Sequence, residues 1–350
     1  MIVITPHTKE ALIILKKIFF KNLSVCVTTI ATMSLMILSG CGNNSSDVAT
    51  DTTNTENTGT TVTESSVSND MSSVEDNGNN DGTTEATDID EGVEETVHYD
   101  VPEGQLKITC LDVGKGDCFV IESADSVTMI DTGYEETANK VMYFLDSEGI
   151  TTIDQMIISH FDKDHVGGAN HIIDNYDVGK VYTTYYEAKD SDDIEEYHKS
   201  LETKNMQPVL VSEETRYSLD GIDFVIYPPM QDEYGENNTS NNSSIVVLMT
   251  YNDNSMLFTG DAEKARIKEL LDINDLQADI IKMPHHGSYI KNLDDLLELV
   301  NPQYAIITSS FNQPEDEETM DILSGMNIES YLTKNGDITI YLGNGITIEQ

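Results

Sequence analysis

The sequence predicts an α/β fold in which two sheets pack face to face and helices cover their outer faces. Short apolar runs bounded by Gly, Asp and Asn recur through residues 105–350 and predict strands. Helical spacing is interspersed through the middle, and a closing set of short strands follows. Because this pattern holds too many strands for a simple doubly wound sheet, we expect a sandwich.

The predicted strands are apolar runs that either alternate with polar residues or stay continuous. They are Leu106 to Leu111, Cys118 to Glu122, Val127 to Ile130, Ile153 to Ser159, Val178 to Thr183, Pro208 to Val211, Ile222 to Tyr227, Ser244 to Tyr251, Ser255 to Thr259, Ile280 to Met283, Tyr304 to Thr308, Ile328 to Leu332, Asp337 to Leu342 and Ile346 to Glu349.

The predicted helices have apolar side chains at helical spacing. They are Glu135 to Glu148, Gly168 to Tyr176, Ser191 to Asn205, Ala262 to Leu271, Leu293 to Val300 and Glu315 to Gly325. The loops that follow strands hold nearly all the His and Asp clusters, which indicates that function lies at strand ends.

Residues 1–40 predict a targeting segment that is not part of the fold. Four lysines between Lys9 and Lys21 precede an apolar stretch from Leu23 to Leu38, which is short for a membrane span. The stretch ends in Leu38-Ser39-Gly40-Cys41, which resembles the lipobox of bacterial lipoproteins. That resemblance implies cleavage before Cys41, lipidation of Cys41, and an extracytoplasmic protein anchored to the bacterial cell membrane. An ordinary signal peptide or an uncleaved anchor is the alternative.

Residues 41–104 predict a disordered acidic tether. After Cys41 this segment holds 16 acidic residues and no Lys or Arg, and it has too little apolar surface to offset its ordering entropy.

Residues 105–350 suit one large domain, with 46 acidic and 15 basic residues and a net charge of −31. This acidity argues against a broad surface for long nucleic acids, so we expect no stable nucleic-acid complex. A phosphodiester substrate held by bound cations remains compatible with it.

The cysteines indicate little about redox compartment. Cys26 leaves with the signal segment and Cys41 would be lipidated, so Cys110 and Cys118 remain. We favour two free thiols over a cross-strand disulfide, which an exported protein could form. Neither spacing suggests a thiolate metal site.

The most informative motif is residues 160–165, which read His-Phe-Asp-Lys-Asp-His between a predicted buried strand and a predicted helix. On such a turn His160 and Asp162 point to one side, and Asp164 and His165 reach a neighbouring position. The turn can therefore serve two adjacent cations, as two-metal hydrolysis requires. A hydrated acidic turn with capping histidines is the alternative.

Three other strand ends carry matching side chains. Asp261 follows a Gly that permits a tight turn, and its carboxylate is placed to bridge two cations. His285 and His286 project differently, so we expect one to ligate and the other to support it or contact substrate. Asp131 can orient a metal-binding histidine through a hydrogen bond. The carboxylates of residues 112–117 either line the site or belong to a plain hairpin turn.

These motifs together resemble a known family. Asp131-Thr-Gly, His160-x-Asp162-x-Asp164-His165, Thr259-Gly-Asp261 and Pro284-His-His-Gly-Ser288 resemble the motifs of the metallo-β-lactamase superfamily. With Leu111-Asp-Val-Gly-Lys-Gly-Asp117 and Asn241-Asn-Ser-Ser244, the chain is most similar to the hydrolase domain of ComEC-type competence proteins, over roughly residues 106–310. The resemblance implies an αββα sandwich of two mixed sheets with outer helices, and a dinuclear metal site at one edge.

The resemblance also implies roles for individual residues. His160 and Asp162 would bind the first metal. Asp164, His165 and one of His285 and His286, with His286 favoured, would bind the second. Asp261 would bridge the metals, and Asp164, Asp261 and Asp131 would carry the catalytic roles.

Two departures from the common superfamily pattern bear on the metal. Asp162 stands where a His is usual, and the further His expected before the bridging Asp is missing, since His171 and His198 lie in predicted outer helices. The site is therefore rich in oxygen, which shifts the preference from Zn²⁺ towards Mn²⁺ or Mg²⁺. Asn242, Ser244 and Ser288 are our candidate substrate-binding residues, although the first two equally suit a polar loop before a strand.

Three functions are compatible with the sequence. The first is a surface-tethered phosphodiesterase or nuclease that uses two divalent metals. The second is a hydrolase of a small ester, lactone or lactam, because the negative charge suits a neutral or cationic substrate. The third is a non-catalytic binding module with a degraded metal site.

ComEC-type proteins carry a multispanning channel that this sequence does not predict, so we expect a stand-alone enzyme and doubt a role in DNA uptake. The substrate and the oligomeric state stay open.

Overall fold

Fifteen strands form two sheets in the computed structural model, which describes residues 99, 101–235 and 238–350. The predicted signal segment, and the predicted tether up to residue 98, lie outside the described residues. The strands are β1 (Leu106–Cys110), β2 (Phe119–Glu122), β3 (Val127–Ile130), β4 (Thr152–Ile157), β5 (Asp177–Thr183), β6 (Val209–Leu210), β7 (Thr215–Leu219), β8 (Ile222–Tyr227), β9 (Val246–Tyr251), β10 (Asn254–Phe258), β11 (Ile280–Lys282), β12 (Tyr304–Ile307), β13 (Glu329–Leu332), β14 (Ile338–Gly343) and β15 (Gly345–Glu349).

Both sheets are mixed. The first has the order β15-β14-β1-β2-β3-β4-β5-β6, antiparallel from β15 to β3 and parallel from β3 to β6. The second has the order β13-β12-β11-β10-β9-β8-β7, parallel from β13 to β10 and antiparallel from β10 to β7. Because neighbouring parallel strands end at the same edge of a sheet, the loops after β3 and β4 lie together, as do those after β10, β11 and β12.

Helices cover the outer face of each sheet. Within the described residues they are α1 (Ala138–Ser147), α2 (Lys163–Val166), α3 (Ala169–Asn175), α4 (Asp192–Thr203), α5 (Thr239–Asn242), α6 (Lys264–Leu270), α7 (Leu293–Val300) and α8 (Glu317–Gly325). Apolar residues of α1, α3 and α4 cluster with the first sheet, and those of α6, α7 and α8 cluster with the second. None of these helices has the length and apolar character that a bilayer span requires.

The central core lies between the two sheets. Side chains that alternate along β1 and β2 meet side chains of β8, β9 and β10 in one apolar cluster. The rings of Phe119 and Phe258 contact edge to face across this core, with 5.1 Å between their centroids. The molecule therefore has four layers, and the predicted αββα sandwich is confirmed.

The predicted elements end within three residues of the observed ones, and the prediction missed one strand and the two short helices α2 and α5. The missed strand is β7, whose polar residues are half-buried or exposed in alternation, so its sequence carries no apolar run. The ordered chain also extends upstream of Gln105. Tyr99 is buried, and its amide donates to Ala124 O at 3.1 Å. This ring is the single aromatic side chain between residues 42 and 104, and our boundary overlooked it.

Cys110 and Cys118 are free thiols and fully buried, which agrees with the alternative that we favoured. Burial raises the pKa of both thiols, so they stay protonated and act as small apolar groups.

Candidate metal centre

The motifs of the two sheets meet at one edge of the sandwich. Asp131 follows β3 and residues 160–165 follow β4, while Asp261 and His286 follow β10 and β11. Backbone hydrogen bonds join the loops within each sheet, from Thr132 N to His165 O at 2.8 Å and from His285 N to Gly260 O at 3.3 Å. A third, from Ile245 N to Ser159 O at 3.0 Å, connects the loop after β4 to the residue before β9 of the other sheet. Four separate segments are thereby held in one place.

Three of the residues at this edge have left-handed backbone conformations. The φ angles are 57° at Asp131, 46° at His285 and 57° at His286. This region costs a residue with a side chain roughly 1–2 kcal/mol, and strain of this kind clusters at functional sites.

A compact group of four side chains forms the centre. One ligand atom each from Asp164, His165, Asp261 and His286 lies within 4.8 Å of all the others. Asp261 lies between the two imidazoles, with Oδ1 3.2 Å from His165 Nε2 and Oδ2 3.0 Å from His286 Nε2. The sequence prediction had placed these same four residues together.

His160 and Asp162 lie beside this group as a pair. His160 Nε2 is 3.6 Å from Asp162 Oδ2, and the rings of His160 and His165 are 4.1 Å apart. Ser240 on α5 donates a hydrogen bond to the other oxygen of Asp162. Burial raises the pKa of Asp162, but the His160 and Ser240 contacts outweigh burial and bring it to about 2.

Each of the three histidines contacts a neighbouring polar side chain through its Nδ1 atom. His160 Nδ1 is 3.1 Å from Ser159 Oγ, His165 Nδ1 is 2.8 Å from Asp131 Oδ2, and His286 Nδ1 is 2.9 Å from Thr308 Oγ1. Each Nε2 atom is buried and has no hydrogen-bond partner within the part of the chain that the structure describes. Buried polar atoms rarely stay unpaired, so these residues fit a bound cation.

The electrostatics favour added positive charge. Burial disfavours the charged imidazoles, but Asp261 outweighs it and holds the pKa of His165 well above its ordinary value and that of His286 at about 9. Burial also opposes ionisation of Asp261, yet the two histidines hold its pKa well below the ordinary value. A divalent cation would satisfy the same demand for charge.

Asp131 and Ser159 support the centre from behind. Asp131 is fully buried, and its carboxylate accepts hydrogen bonds from Ser159 N at 2.7 Å, Ser159 Oγ at 2.7 Å and His165 Nδ1 at 2.8 Å. Because a carboxylate can only accept, the Nδ1 of His165 carries the proton and Nε2 faces the centre. This is the orienting contact predicted for Asp131.

A buried ion pair underlies the centre, and the sequence prediction missed half of it. Lys282 is fully buried, with Nζ 2.5 Å from Asp117 Oδ2 and 3.3 Å from Asp261 Oδ1. Thr308 donates to Asp117 Oδ1 at 2.7 Å and therefore accepts from His286 Nδ1. The sequence did contain a signal for this pair, a lysine inside the apolar run that forms β11. Because a lysine is almost never fully buried unless it is paired, this lysine indicated a buried acidic partner.

The comparison with known families agrees with this geometry. The family model of the metallo-β-lactamase superfamily matches residues 111–309, which include the motifs of the centre. The chain belongs to the metallo-β-lactamase superfamily.

Curated relatives confirm the resemblance to competence proteins. ComE operon protein 3 of Bacillus subtilis (strain 168) is 25% identical over 233 residues, covering 61% of this chain and 30% of that protein. Recombination protein 2 of Haemophilus influenzae is 27% identical over 208 residues, covering 58% of this chain and 24% of that protein. This metallo-β-lactamase chain thus spans less than a third of the length of these relatives.

Solved structures of low identity also match. The metallo-β-lactamase fold protein YhfI from Bacillus subtilis has a TM-score of 0.46 at 10% identity, covering 70% of this chain and all of that one. CmlA, a diiron β-hydroxylase from Streptomyces venezuelae, has a TM-score of 0.43 at 12% identity, covering 69% of this chain and 55% of that one.

His285, the other histidine of the His285-His286 pair, lies at the solvent-facing edge of this metallo-β-lactamase centre. The side chain of His285 is 27% exposed, with Nε2 3.9 Å from Asp261 Oδ2 and Nδ1 3.6 Å from Glu263 Oε1. Burial lowers the pKa of His285 below its ordinary value, so this imidazole is neutral near pH 7. Its neighbour His286 is the one turned into the four-residue group.

The three candidate substrate-binding residues occupy different surroundings. Asn242 and Ser244 are buried and bound to the fold: Asn242 Oδ1 accepts from Arg266 N at 2.9 Å, and Ser244 Oγ accepts from Asp261 N at 3.1 Å. These bonds give Ser244 a structural task, and its burial gives no support to a substrate contact. Ser288 is half-buried beside His285. His171 and His198 lie on outer helices away from the centre, as predicted.

Proposed function

We propose that this metallo-β-lactamase domain is a metal-dependent phosphodiesterase with two cation positions. The observation that carries the proposal is the placement of three buried imidazole Nε2 atoms beside carboxylates, with no hydrogen bond to any of the three within the described chain. Those of His165 and His286 lie 3.2 and 3.0 Å from the carboxylate oxygens of Asp261, and that of His160 lies 3.6 Å from Asp162. Asp164, His165, Asp261 and His286 would hold one cation, and His160 with Asp162 would contribute to the other. Since carboxylates supply half of this donor set, we expect Mn²⁺ to support activity at least as well as Zn²⁺, with Mg²⁺ as a further candidate.

Two arguments favour a phosphodiester over a small neutral ester. The curated relatives are named for competence and recombination, which points to nucleic-acid chemistry. The domain is also strongly acidic, so an anionic diester needs bound cations to approach the site, and the donor set provides for them.

The residues would divide the work as follows. Divalent cations bound here would act as Lewis acids and lower the pKa of water. Asp131 and Ser159 fix the orientation of His165, and Thr308 fixes that of His286. His285 is the neutral, partly exposed imidazole at the mouth, and it would contact the substrate there as a hydrogen-bond partner.

The test is a matrix of metals and substrates. The purified full chain should cleave bis-p-nitrophenyl phosphate and single-stranded DNA when Mn²⁺ is supplied. Asp164→Ala and Asp261→Ala should abolish cleavage and reduce the metal bound per chain. His198→Ala, on the exposed face of α4, is the matched control and should behave as wild type.

The same matrix can overturn the proposal. If no phosphodiester is cut with any divalent metal, while nitrocefin, an acyl lactone or an aryl ester is hydrolysed, the enzyme is a small-ester hydrolase. If the folded chain binds no metal at all, the domain is a binding module.

We also propose an extracytoplasmic location with a lipid anchor on Cys41. The support is the run Leu38-Ser39-Gly40-Cys41 after an apolar stretch with a basic start. Two acyl chains would suffice for stable membrane attachment.

A further inference from the structure

A cleft lies near the candidate metal centre. It is an open cleft of about 480 Å³ between α6 and the loop that precedes α5, and its walls include Tyr234, Asn242, Lys264 and Lys268. Its size suits a small ligand or one unit of a polymer. The proposed metal site does not include any of these four residues.

Side chains on the dividing wall connect the cleft to the centre. Ser240 on α5 donates a hydrogen bond to Asp162, and Asn242 on the same helix lines the cleft. Glu263 lies 3.6 Å from His285 Nδ1, and the next residue, Lys264, lines the cleft. Residues that line the cleft are thus one or two positions in sequence from residues that contact the centre, so a polymer held at the centre would extend towards the cleft.

Two lysines line this cleft in an acidic domain. Lys264 and Lys268 are exposed and one helical turn apart on α6, which places their Cβ atoms about 6 Å apart. Within residues 99, 101–235 and 238–350, no carboxylate oxygen lies within 4.0 Å of either ammonium group. Glu269, on the same wall, is paired with the buried Arg266 at 2.9 Å. Asp272 is the other acidic residue of the lining.

The opposite wall presents a fixed aromatic ring. The hydroxyl of Tyr234 donates to Glu269, with its oxygen 2.8 and 2.9 Å from the two carboxylate oxygens. The Gln231 side chain and Met230 N also donate to Glu269, at 2.7 and 3.1 Å. These bonds hold residues 230–234 against α6, so the ring of Tyr234 is positioned in advance of binding.

We propose that this cleft binds the nucleotide next to the scissile phosphodiester. Lys264 and Lys268 contact the phosphate of that nucleotide, and its base stacks on Tyr234, since aromatic stacking holds bases regardless of sequence. The proposal rests on the proposed function and extends it by naming an oligonucleotide as the substrate. It also accounts for recognition of an anionic polymer by a domain that lacks a broad basic surface.

The test compares a small and a large substrate. In Lys264→Gln/Lys268→Gln, the KM for a thymidine oligonucleotide should rise roughly tenfold, while cleavage of bis-p-nitrophenyl phosphate stays at the wild-type level, because the small diester does not reach the cleft. The dependence of log(kcat/KM) on log[salt] should also become shallower by about 0.7, the value for one single-strand phosphate contact. Lys199→Gln/Lys204→Gln removes the same charge at exposed positions on and just after α4 and should change neither quantity.

A direct binding measurement separates the two proposals. The anisotropy of a fluorescein-labelled thymidine oligonucleotide, recorded with the full chain in EDTA, should show weaker binding for the Lys264/Lys268 variant than for the Lys199/Lys204 control. Equal binding and equal KM in the two variants would overturn the cleft proposal even if both cleave the small diester. Loss of binding in the Lys264/Lys268 variant alone would support the cleft even if the wild type cleaves nothing, an outcome that overturns only the proposed function.

Discussion

The orientation of each histidine is determined by a residue that does not itself face the centre. Asp131, Ser159 and Thr308 engage the Nδ1 atoms. The Nε2 atoms of His165 and His286 then face Asp261, and that of His160 faces Asp162. Such supporting contacts often affect metal affinity nearly as much as the ligands do. The centre is therefore a preorganised arrangement of imidazoles and carboxylates, and the carboxylates need positive charge beside them, from protons on His165 and His286 or from a cation.

Asp131→Asn tests this arrangement. The amide keeps the shape and tolerates the left-handed backbone, but it cannot accept from every donor that the carboxylate serves. We expect metal affinity to fall roughly 10- to 100-fold, measured by competition with a chelating dye. Asp190→Asn is the matched control, because Asp190 also has a positive φ, of 60°, and is exposed. An Asp131 variant with wild-type affinity would contradict the orienting role.

The buried pair of Lys282 and Asp117 predicts a large stability effect. Lys282→Met leaves Asp117 buried without its cation, so the free energy of unfolding should fall by about 3–5 kcal/mol. Lys282→Met/Asp117→Asn should be more stable than the single variant, because neither charge then remains unpaired. Urea unfolding in EDTA measures both. Lys140→Met breaks an exposed pair, Lys140 Nζ to Asp337 Oδ1 at 2.9 Å, and should cost at most about 1 kcal/mol.

The titration of His286 predicts how stability depends on pH in a chelator. Its pKa is raised to about 9 in the folded chain, whereas the unfolded value is about 6.5. The stabilising contribution is therefore complete below about pH 6.5 and is lost as the pH rises through about 9. The Tm in EDTA should fall over this interval. The fall should be smaller in His286→Gln and unchanged in His198→Gln, and a flat wild-type profile would contradict the protonated state.

At the scale of elements, the strand ends determine where the motifs meet. Gly260 connects β10 to Asp261 with φ 54°, and a Cβ at this position would lie 2.9 Å from Ser244 Cβ and 3.1 Å from Ser159 Cβ. The glycine lets the two sheets approach each other closely at the edge that carries the site. A methyl group there would push apart the loops that hold Asp131 and Asp261.

Gly260→Ala should therefore destabilise the protein by about 2–4 kcal/mol, combining the left-handed conformation with overpacking. Gly149→Ala measures the cost of the left-handed conformation without overpacking, because Gly149 has φ 69° and nothing lies within 4 Å of the new methyl group. It should cost about 1–2 kcal/mol. Equal costs in chemical denaturation would show that close packing at Gly260 does not matter.

The sequence predicted the elements because apolar runs with clear boundaries decide most of this fold. β7 escaped prediction since its partner β8 supplies the buried side chains, while Thr215, Tyr217 and Leu219 are only half-buried. The site could be predicted where several metal-binding side chains follow one strand. Lys282 could not be placed from local pattern alone, because its partners Asp117 and Asp261 lie far away in sequence and meet it only when both sheets assemble.

For the whole molecule, the balance of charge separates long-range from local recognition. The sequence has 63 acidic and 19 basic residues and a net charge of −44. Such a chain repels a polyanion at a distance, and this repulsion is screened by salt over about 8 Å at physiological ionic strength. Under the proposed function, a phosphodiester would therefore be recognised locally, through cations at the centre and the two lysines of the cleft.

The location of the molecule gives a last prediction, which concerns Cys41. If the segment before it is a lipoprotein signal, the mature chain begins at Cys41 and its intact mass exceeds that of the polypeptide by acyl chains. Cells supplied with labelled palmitate should label the wild type and Cys26→Ser, whose change lies in the removed segment, but not Cys41→Ser. An unlabelled wild type, or a mature chain that begins elsewhere, would contradict the anchor. The metal and substrate predictions would be unaffected, because they depend on residues 105–350.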